Sequence, residues 1–288
     1  MGISYPSYYI GFNYVYPWLL IFSFAQGRVS GTYLNTMDNN AVEVINLTKK
    51  FKRATYRASS LKTQFVEWAK MGFKKNKRTT ITVLDGISFN IKSGHTFGIM
   101  GVNGAGKSTL LKLICGIISP TSGYVKTQGV ITPLLELGAG FNQELTAKEN
   151  ILINGLILGM SKKLIQSKYN EILDFAELKE VSNEPIRTFS SGMYIRLAFS
   201  IAININPDII ILDEIMGVGD AYFQQKSKEK LMDFKRKGKT IILVSHNPED
   251  VAKVCDEALF LSHGKIAEIG DPDKVAGRYK AECGVNAE

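Results

Sequence analysis

The chain has 288 residues, 45% of them hydrophobic and 22% charged, with 26 Gly, 8 Pro and a formal net charge of +8. That length holds one large domain or two modest ones and can bury a sizeable core. The balance excludes a disordered chain, a collagen-like repeat, a disulfide scaffold and a helical membrane bundle, and the positive charge suits nucleic acid, nucleotide or an anionic membrane face alike.

Met1 to Gly27 carries no charged residue and nine of the aromatics. Its apolar run, Tyr14 to Ala25, is broken by Pro17 and is shorter than the roughly 20 residues that a span needs. It has no basic start for a secretory signal, and Pro6 stands where a myristoylation motif requires Ser or Thr. Three readings stand for residues 1–36: an interfacial aromatic anchor, an accessory tail, or a false upstream start. In the third, the protein begins at Met37, an ordinary polar start (Met-Asp-Asn-Asn) just before the first good strand.

Val42 to Leu47 reads as a short strand. From Lys49 to Arg78 there are eleven basic residues and one acid, Glu67, so this stretch alone holds +10 and the rest is slightly acidic. Within it, Leu61, Phe65, Trp68 and Met71 recur at the spacing of one helical face. Such an amphipathic helix, in an insertion at about 52–78, is either a surface helix with its stripe in the core or one lying against a membrane-embedded partner.

Ile81 to Leu84 and Ile87 to Ile91 read as strands separated at Gly86. Thr96 to Met100 reads as a central one. Then comes GVNGAGKST, Gly101 to Thr109, which fits G-x-x-x-x-G-K-[ST] in full between that strand and a helix, Lys107 to Cys115. Gly101, Gly104 and Gly106, with Asn103 among them, let backbone N–H groups curl around phosphate oxygens, and the helix N-terminus adds its positive end. Lys107 reaches the β- and γ-phosphates, and Ser108, followed by Thr109, offers a hydroxyl to Mg²⁺. Nucleotide binding follows.

A helical insertion is expected at about 142–186, opened by a capping box, Thr146 with Glu149, and continued by a helix over Ser161 to Phe175. Helix resumes after FSSGM, Phe189 to Met193. The strand from Asp208 ends in two carboxylates: Asp213 to hold Mg²⁺, directly or through water, and Glu214 to act as general base on the attacking water. Asp208 only opens the strand. Thr240 to Ser245 delivers His246 to a strand end, where it could contact the γ-phosphate. His95 and His263 read as turn or surface residues. Cys115, Cys255 and Cys283 form no CxxC pair, which favours a reduced, cytosolic compartment.

Phosphate loop, helical insertion, FSSGM, Asp213-Glu214, GVGD and His246 occur in the order seen in ATP-binding cassette (ABC) ATPases, and FSSGM resembles their signature LSGGQ. SSGMYIRLAFSIA, LLELGAGF and DEIMGVGDAYFQQK are more particular. They resemble the ATP-binding subunits that export capsular polysaccharide, O-antigen and teichoic acid, over about Val42 to Lys280.

The resemblance implies an α/β P-loop NTPase fold with a RecA-like core, an antiparallel β subdomain and a helical subdomain. The ABC ATPase domain would span 37–280, with a short tail at 281–288. Phe51 matches the aromatic that stacks on adenine, with Tyr56 a rival. Ser190, Ser191 and Gly192 match the signature that contacts the γ-phosphate bound by the other subunit, and Asp220 the aspartate that crosses the dimer interface. Asp213, Glu214 and His246 match the Mg²⁺ aspartate, the catalytic glutamate and the switch histidine. A homodimer that sandwiches two ATP molecules is implied, with a separate membrane permease.

The implied cargo is a polymer on a polyprenyl diphosphate lipid, handled at the cytoplasmic face of the membrane. The basic stretch either attracts such a headgroup or is a solvated face. Nucleic acid is not expected as a partner, because neither a long coiled-coil insertion nor a second cassette is present. The chain departs from the wider family at the glutamine loop. The matching place is Leu137 with Glu136 beside it, Gln143 lies about six residues too late, and Glu136 is a candidate for contacting Mg²⁺ or water. About 40 residues follow His246. They are expected to hold a final strand or two and a short helix, without room for the carbohydrate-binding domain that some O-antigen exporters append.

Overall fold

A computed structural model describes residues 39–53, 79–134, 137–213 and 220–284, all within one compact unit that starts at Asp38. The N-terminal stretch, the amphipathic helix around Phe65, Tyr56, Glu136 and Glu214 lie outside the described residues.

Apolar strands build the centre. β3 (Thr96–Gly101), β6 (Ile209–Asp213) and β7 (Thr240–Val244) are near-continuous apolar runs, as strands covered on both faces must be. With β5 (Ile131–Pro133), β8 (Glu257–Ser262) and β9 (Lys265–Gly270) they form a six-stranded sheet in the order β5-β6-β7-β3-β8-β9. All its pairings are parallel except β8 with β9. Thr96 to Met100 is central, as its sequence implies.

Side chains alternate between two apolar layers, which is the period of a strand. Ile209 and Ile211 join the cluster that holds α1 (Lys107–Ile114), whereas Ile210 and Leu212 join the cluster that holds α5 (Ala221–Arg236). Ile242 and Val244 divide from Ile241 and Leu243 in the same way.

β1 (Asn40–Arg53), β2 (Thr79–Lys92) and β4 (Ser122–Thr127) make a separate antiparallel sheet in the order β2-β1-β4. Two short strands expected around Gly86 are in fact one long strand. The ladder shifts register between Leu47↔Ile87 and Lys49↔Leu84, and the Gly86 N–H donates to Thr48 Oγ1 at 3.0 Å, so the irregular residues stay bonded within the sheet. β1 likewise runs beyond the expected Val42 to Leu47.

The helical region contains α2 (Ala147–Ile157) and α3 (Lys162–Ala176). Thr146 opens α2 with the expected capping box: its hydroxyl accepts from the Glu149 N–H, while the Glu149 carboxylate accepts from the Thr146 N–H at 2.8 Å. The Thr146 N–H, and after it the Thr146 hydroxyl, which donates to the carboxylate at 2.7 Å, hold the Glu149 carboxyl below its ordinary range. α4 (Ser191–Ile203) follows, and its Leu197 and Ile201 share one apolar cluster with Ile151, Ile165 and Ile172. After β7 come α6 (Pro248–Val254) and, past β9, α7 (Pro272–Cys283), each opened by a side-chain cap with Pro at its start. Two strands and two helices therefore follow His246, one helix more than expected. Cys115, Cys255 and Cys283 are free thiols, and burial pushes the first two up to about 12, so they remain protonated.

Candidate nucleotide site

The phosphate loop runs from the end of β3 into α1. Gly106 caps that helix with φ +110°, and no side chain bonds to the first-turn N–H groups, which leaves them to an incoming anion. A Cβ on Gly106 would stand 2.8 Å from Leu84 Cδ2 and 3.1 Å from the Val83 carbonyl oxygen; one on Gly101 would stand 2.6 Å from the Leu261 carbonyl oxygen. Only glycine fits either place. Asn103, Gly104 and Ser108 are exposed, and Thr109 is half-buried.

Lys107 Nζ donates to the carbonyls of Gly101 (2.6 Å) and Val102 (3.2 Å), which holds the ammonium over the loop. Open helix N–H groups, a glycine-only cradle and a poised ammonium fit a triphosphate. The turn between β8 and β9 supports the loop from behind. The Gly264 N–H donates to the Ala105 carbonyl at 3.2 Å, and the Asp85 N–H to the Gly264 carbonyl at 2.9 Å. The motif gave no sign of this prop. His263 and Gly264 have positive φ, so the turn reading of His263 holds.

The strands bring the other candidates to the same sheet edge. Asp213 ends β6 and pairs with Val244, the last residue of parallel β7, and the exposed His246 lies two residues further on. Ser108 and Asp213 are the sequence's candidates for Mg²⁺, which would neutralise charge on the β- and γ-phosphates. Asp208, read as a strand opener, does more: its carboxylate accepts from the Val130 N–H at 2.9 Å and pairs with Lys239 at 3.4 Å. Those bonds hold its carboxyl below the ordinary range.

Phe51 is an exposed residue of β1, 42% accessible. Lys49 Nζ lies 5.0 Å from its ring centroid and donates to the Ser119 carbonyl at 2.6 Å, so the ring is backed by a cation tied to the segment after α1.

Ser190 caps α4 by accepting from the Met193 N–H at 3.2 Å, and Ser191 is exposed. A Cβ on Gly192 would meet nothing nearer than Ser190 Oγ at 3.8 Å. Asp220 caps α5 through the Phe223 N–H at 2.9 Å and also binds Arg196. The Phe223 N–H first, and Arg196 after it, hold its carboxyl below the ordinary range.

The loop that stands in for the glutamine loop is tied to the helices. Asn154 Nδ2 donates to the Ala139 carbonyl at 3.0 Å, and the buried Asn150 donates to the Asn142, Leu145 and Thr146 carbonyls. The Tyr194 hydroxyl donates to the Gly138 carbonyl at 2.9 Å, and the Tyr194 ring would lie 2.3 Å from a Cβ on Gly138. Gln143 is exposed, and its carbonyl accepts from the Arg187 N–H. Sequence reasoning singled out neither Asn150, Asn154 nor Tyr194. The glycines of LGAGF were the one available signal.

Residues 84–217 match the ABC transporter family. An O-antigen export system ATP-binding protein of Klebsiella pneumoniae is 40% identical over 235 residues, which is 82% of this chain and 95% of that protein. The chain belongs to the ATP-binding subunits of ABC transporters.

Its other ABC relatives include an O-antigen export system ATP-binding protein of Myxococcus xanthus, 45% identical over 84% of this chain but 56% of that protein. A teichoic acids export ATP-binding protein of Enterococcus faecalis is 40% identical over 82% of this chain and 51% of its own length. The chain thus spans about half the length of these two relatives. Among solved structures, a dimeric post-hydrolysis state of the ATP-binding cassette MJ0796 with ADP and Pi has a TM-score of 0.62 at 24% identity, covering 80% of this chain and 98% of that one. That likeness shows the ABC fold: a P-loop core with a helical subdomain.

Proposed function

We propose that this chain is the ATP-hydrolysing subunit of an exporter that moves a lipid-linked polysaccharide or teichoic acid through a separate membrane permease. The observation that carries the reading is the 40% identity along 95% of an O-antigen export ATP-binding protein. The chain acts at the cytoplasmic face of the membrane as a peripheral homodimer. Among the described residues no helix is long and apolar enough to cross a membrane; in this reading the permease is a separate chain.

In this reading the loop N–H groups and Lys107 bind the β- and γ-phosphates, and Phe51 stacks on adenine. Ser108 and Asp213 would hold Mg²⁺, which would neutralise phosphate charge. Glu214 takes a proton from the attacking water as its oxygen bonds to the γ-phosphorus and the bond from that phosphorus to the bridging oxygen of ADP breaks, which releases ADP and phosphate, and His246 orients that water and phosphate. Ser190, Ser191 and Gly192 close over the γ-phosphate bound by the second copy. The open space around Gly192 supports this, because nothing among the described residues requires a small residue there.

Glu214→Gln tests the reading. It should keep ATP binding, lower hydrolysis by about 10²-fold or more, and trap an ATP-dependent dimer on a sizing column. Unchanged steady-state hydrolysis would refute the base assignment. Pull-down from membranes should recover one permease with its lipid-linked polymer. Recovery of an importer permease would reassign the cargo and leave the ATPase reading intact.

A further inference from the structure

Four charged side chains close on one another between α3, α4 and α5, and three of them, Glu177, Arg196 and Lys226, have no part in the nucleotide motifs. Arg196, in the second turn of α4, donates from one guanidinium nitrogen to Glu177 Oε2 at 2.9 Å and from another to Asp220 Oδ2. Lys226 of α5 donates to Glu177 Oε1 at 3.1 Å and to the Phe175 carbonyl at 2.9 Å. Two positive and two negative groups cancel.

The cations also rest on aromatic faces. Arg196 lies 5.4 Å from the Phe223 ring centroid, and Lys226 lies 4.8 Å from that of Phe175. The Arg196 side chain is only 18% accessible, so its planar fork depends on these partners.

Glu177 is the hub. It ends α3 with φ +61°, a backbone state that glycine adopts more easily. What glycine would lack is the carboxylate that both cations grip. α4 packs with the helical region through Leu197 and Ile201 and shares its Phe199 with the cluster on the sheet, while Asp220 leads into α5, whose Phe223 and Leu231 pack in that second cluster. Arg196 crosses between the two.

We propose that Arg196 is a positioning residue that locks the segment Ser190 to Gly192 to Asp220, so that a second copy meets both as one piece. Ser190 caps α4 and Asp220 caps α5, so the aim of each segment follows its helix, and the Arg196 fork with its Glu177 hub sets one helix against the other. The inference rests on the reading of the chain as a dimeric ATPase.

The test uses the full chain with three substitutions. Arg196→Met keeps the apolar stem and loses the charge, Arg196→Lys keeps the charge without the fork, and Glu177→Gly relaxes the backbone while removing the hub. Arg196→Met and Glu177→Gly should each lower kcat about tenfold or more, with Tm and the affinity of a fluorescent ATP analogue little changed. Arg196→Lys should recover part of kcat. A merely structural hub predicts a lowered Tm with kcat intact for Glu177→Gly, and kcat intact in that variant would overturn the proposal. So would kcat losses that track Tm losses across the three variants. Should the unsubstituted chain neither hydrolyse ATP nor dimerise as Glu214→Gln, the dimeric-ATPase reading fails and the proposal with it. Should it do both while the variants keep full kcat, the proposal alone fails.

Discussion

The phosphate loop and the FSSGM segment are both glycine-containing turns that lead into helices, yet the fold treats them oppositely. Around the phosphate loop, β2 and β8 leave no space for a Cβ at Gly101 or Gly106, and the lysine is held by carbonyls of its own loop. Around FSSGM the chain leaves Gly192 open, exposes both serines, and fixes only the direction of α4. The first site is shaped from within. The second is left open among the described residues, and in the proposed reading its small residue serves a second copy that approaches from outside.

The largest effect that sharpens this contrast is at the inner site. Lys107→Ala removes the cation held over the loop and should lower hydrolysis by about 10²–10³-fold, read by phosphate release; an active variant would take the chemistry elsewhere. The glycine pair then tests inside against outside. Gly106→Ala forces a Cβ against Leu84 and Val83 at positive φ and should cost about 1–3 kcal/mol of stability with loss of nucleotide binding. Gly192→Ala should leave Tm unchanged or slightly raised, since Ala is the better helix former by about 1 kcal/mol, while lowering hydrolysis. If Gly192→Ala kept full activity, the outward-facing role would be lost.

Smaller effects lie away from both sites. Thr146→Ala removes one half of the capping box and should cost about 1 kcal/mol, seen as a lower denaturation midpoint. The smallest concerns acid. Burial raises the Asp256 carboxyl, but the Thr96 N–H (2.7 Å) and Lys235 (3.1 Å) outweigh it and hold the group below its ordinary value. A depressed carboxyl stabilises the fold above its unfolded pKa and loses that contribution as pH falls through the folded one. Stability should therefore be flat near neutrality and fall below the ordinary carboxylate range, and Asp256→Asn should flatten that acid limb in Tm-against-pH curves.

Much of the site was legible because its chemistry is contiguous. Gly101 to Thr109 places its N–H donors, ammonium and hydroxyl within nine consecutive residues, and the apolar runs of β3, β6 and β7 announce a doubly covered sheet. The Thr146–Glu149 box was readable for the same reason, since both partners sit within one helical turn. Strand lengths were less so. Leu84 and Ile87 belong to one strand because β1 keeps pairing across the irregularity at Gly86, and no local pattern carries that information.

By itself, then, the sequence determined that a phosphate loop, a terminal pair of carboxylates and a signature-like helix start stand in a set order, because each is written in neighbouring residues. Only the tertiary structure decided what holds them in place. Tyr194 meets Gly138 from 56 positions away, Arg196 meets Glu177 from 19 and Asp220 from 24, and the Gly264 turn props the phosphate loop at Ala105. Hydrogen bonds and ion pairs act through distances of a few ångströms, and contacts between separate elements have no period along the chain to betray them.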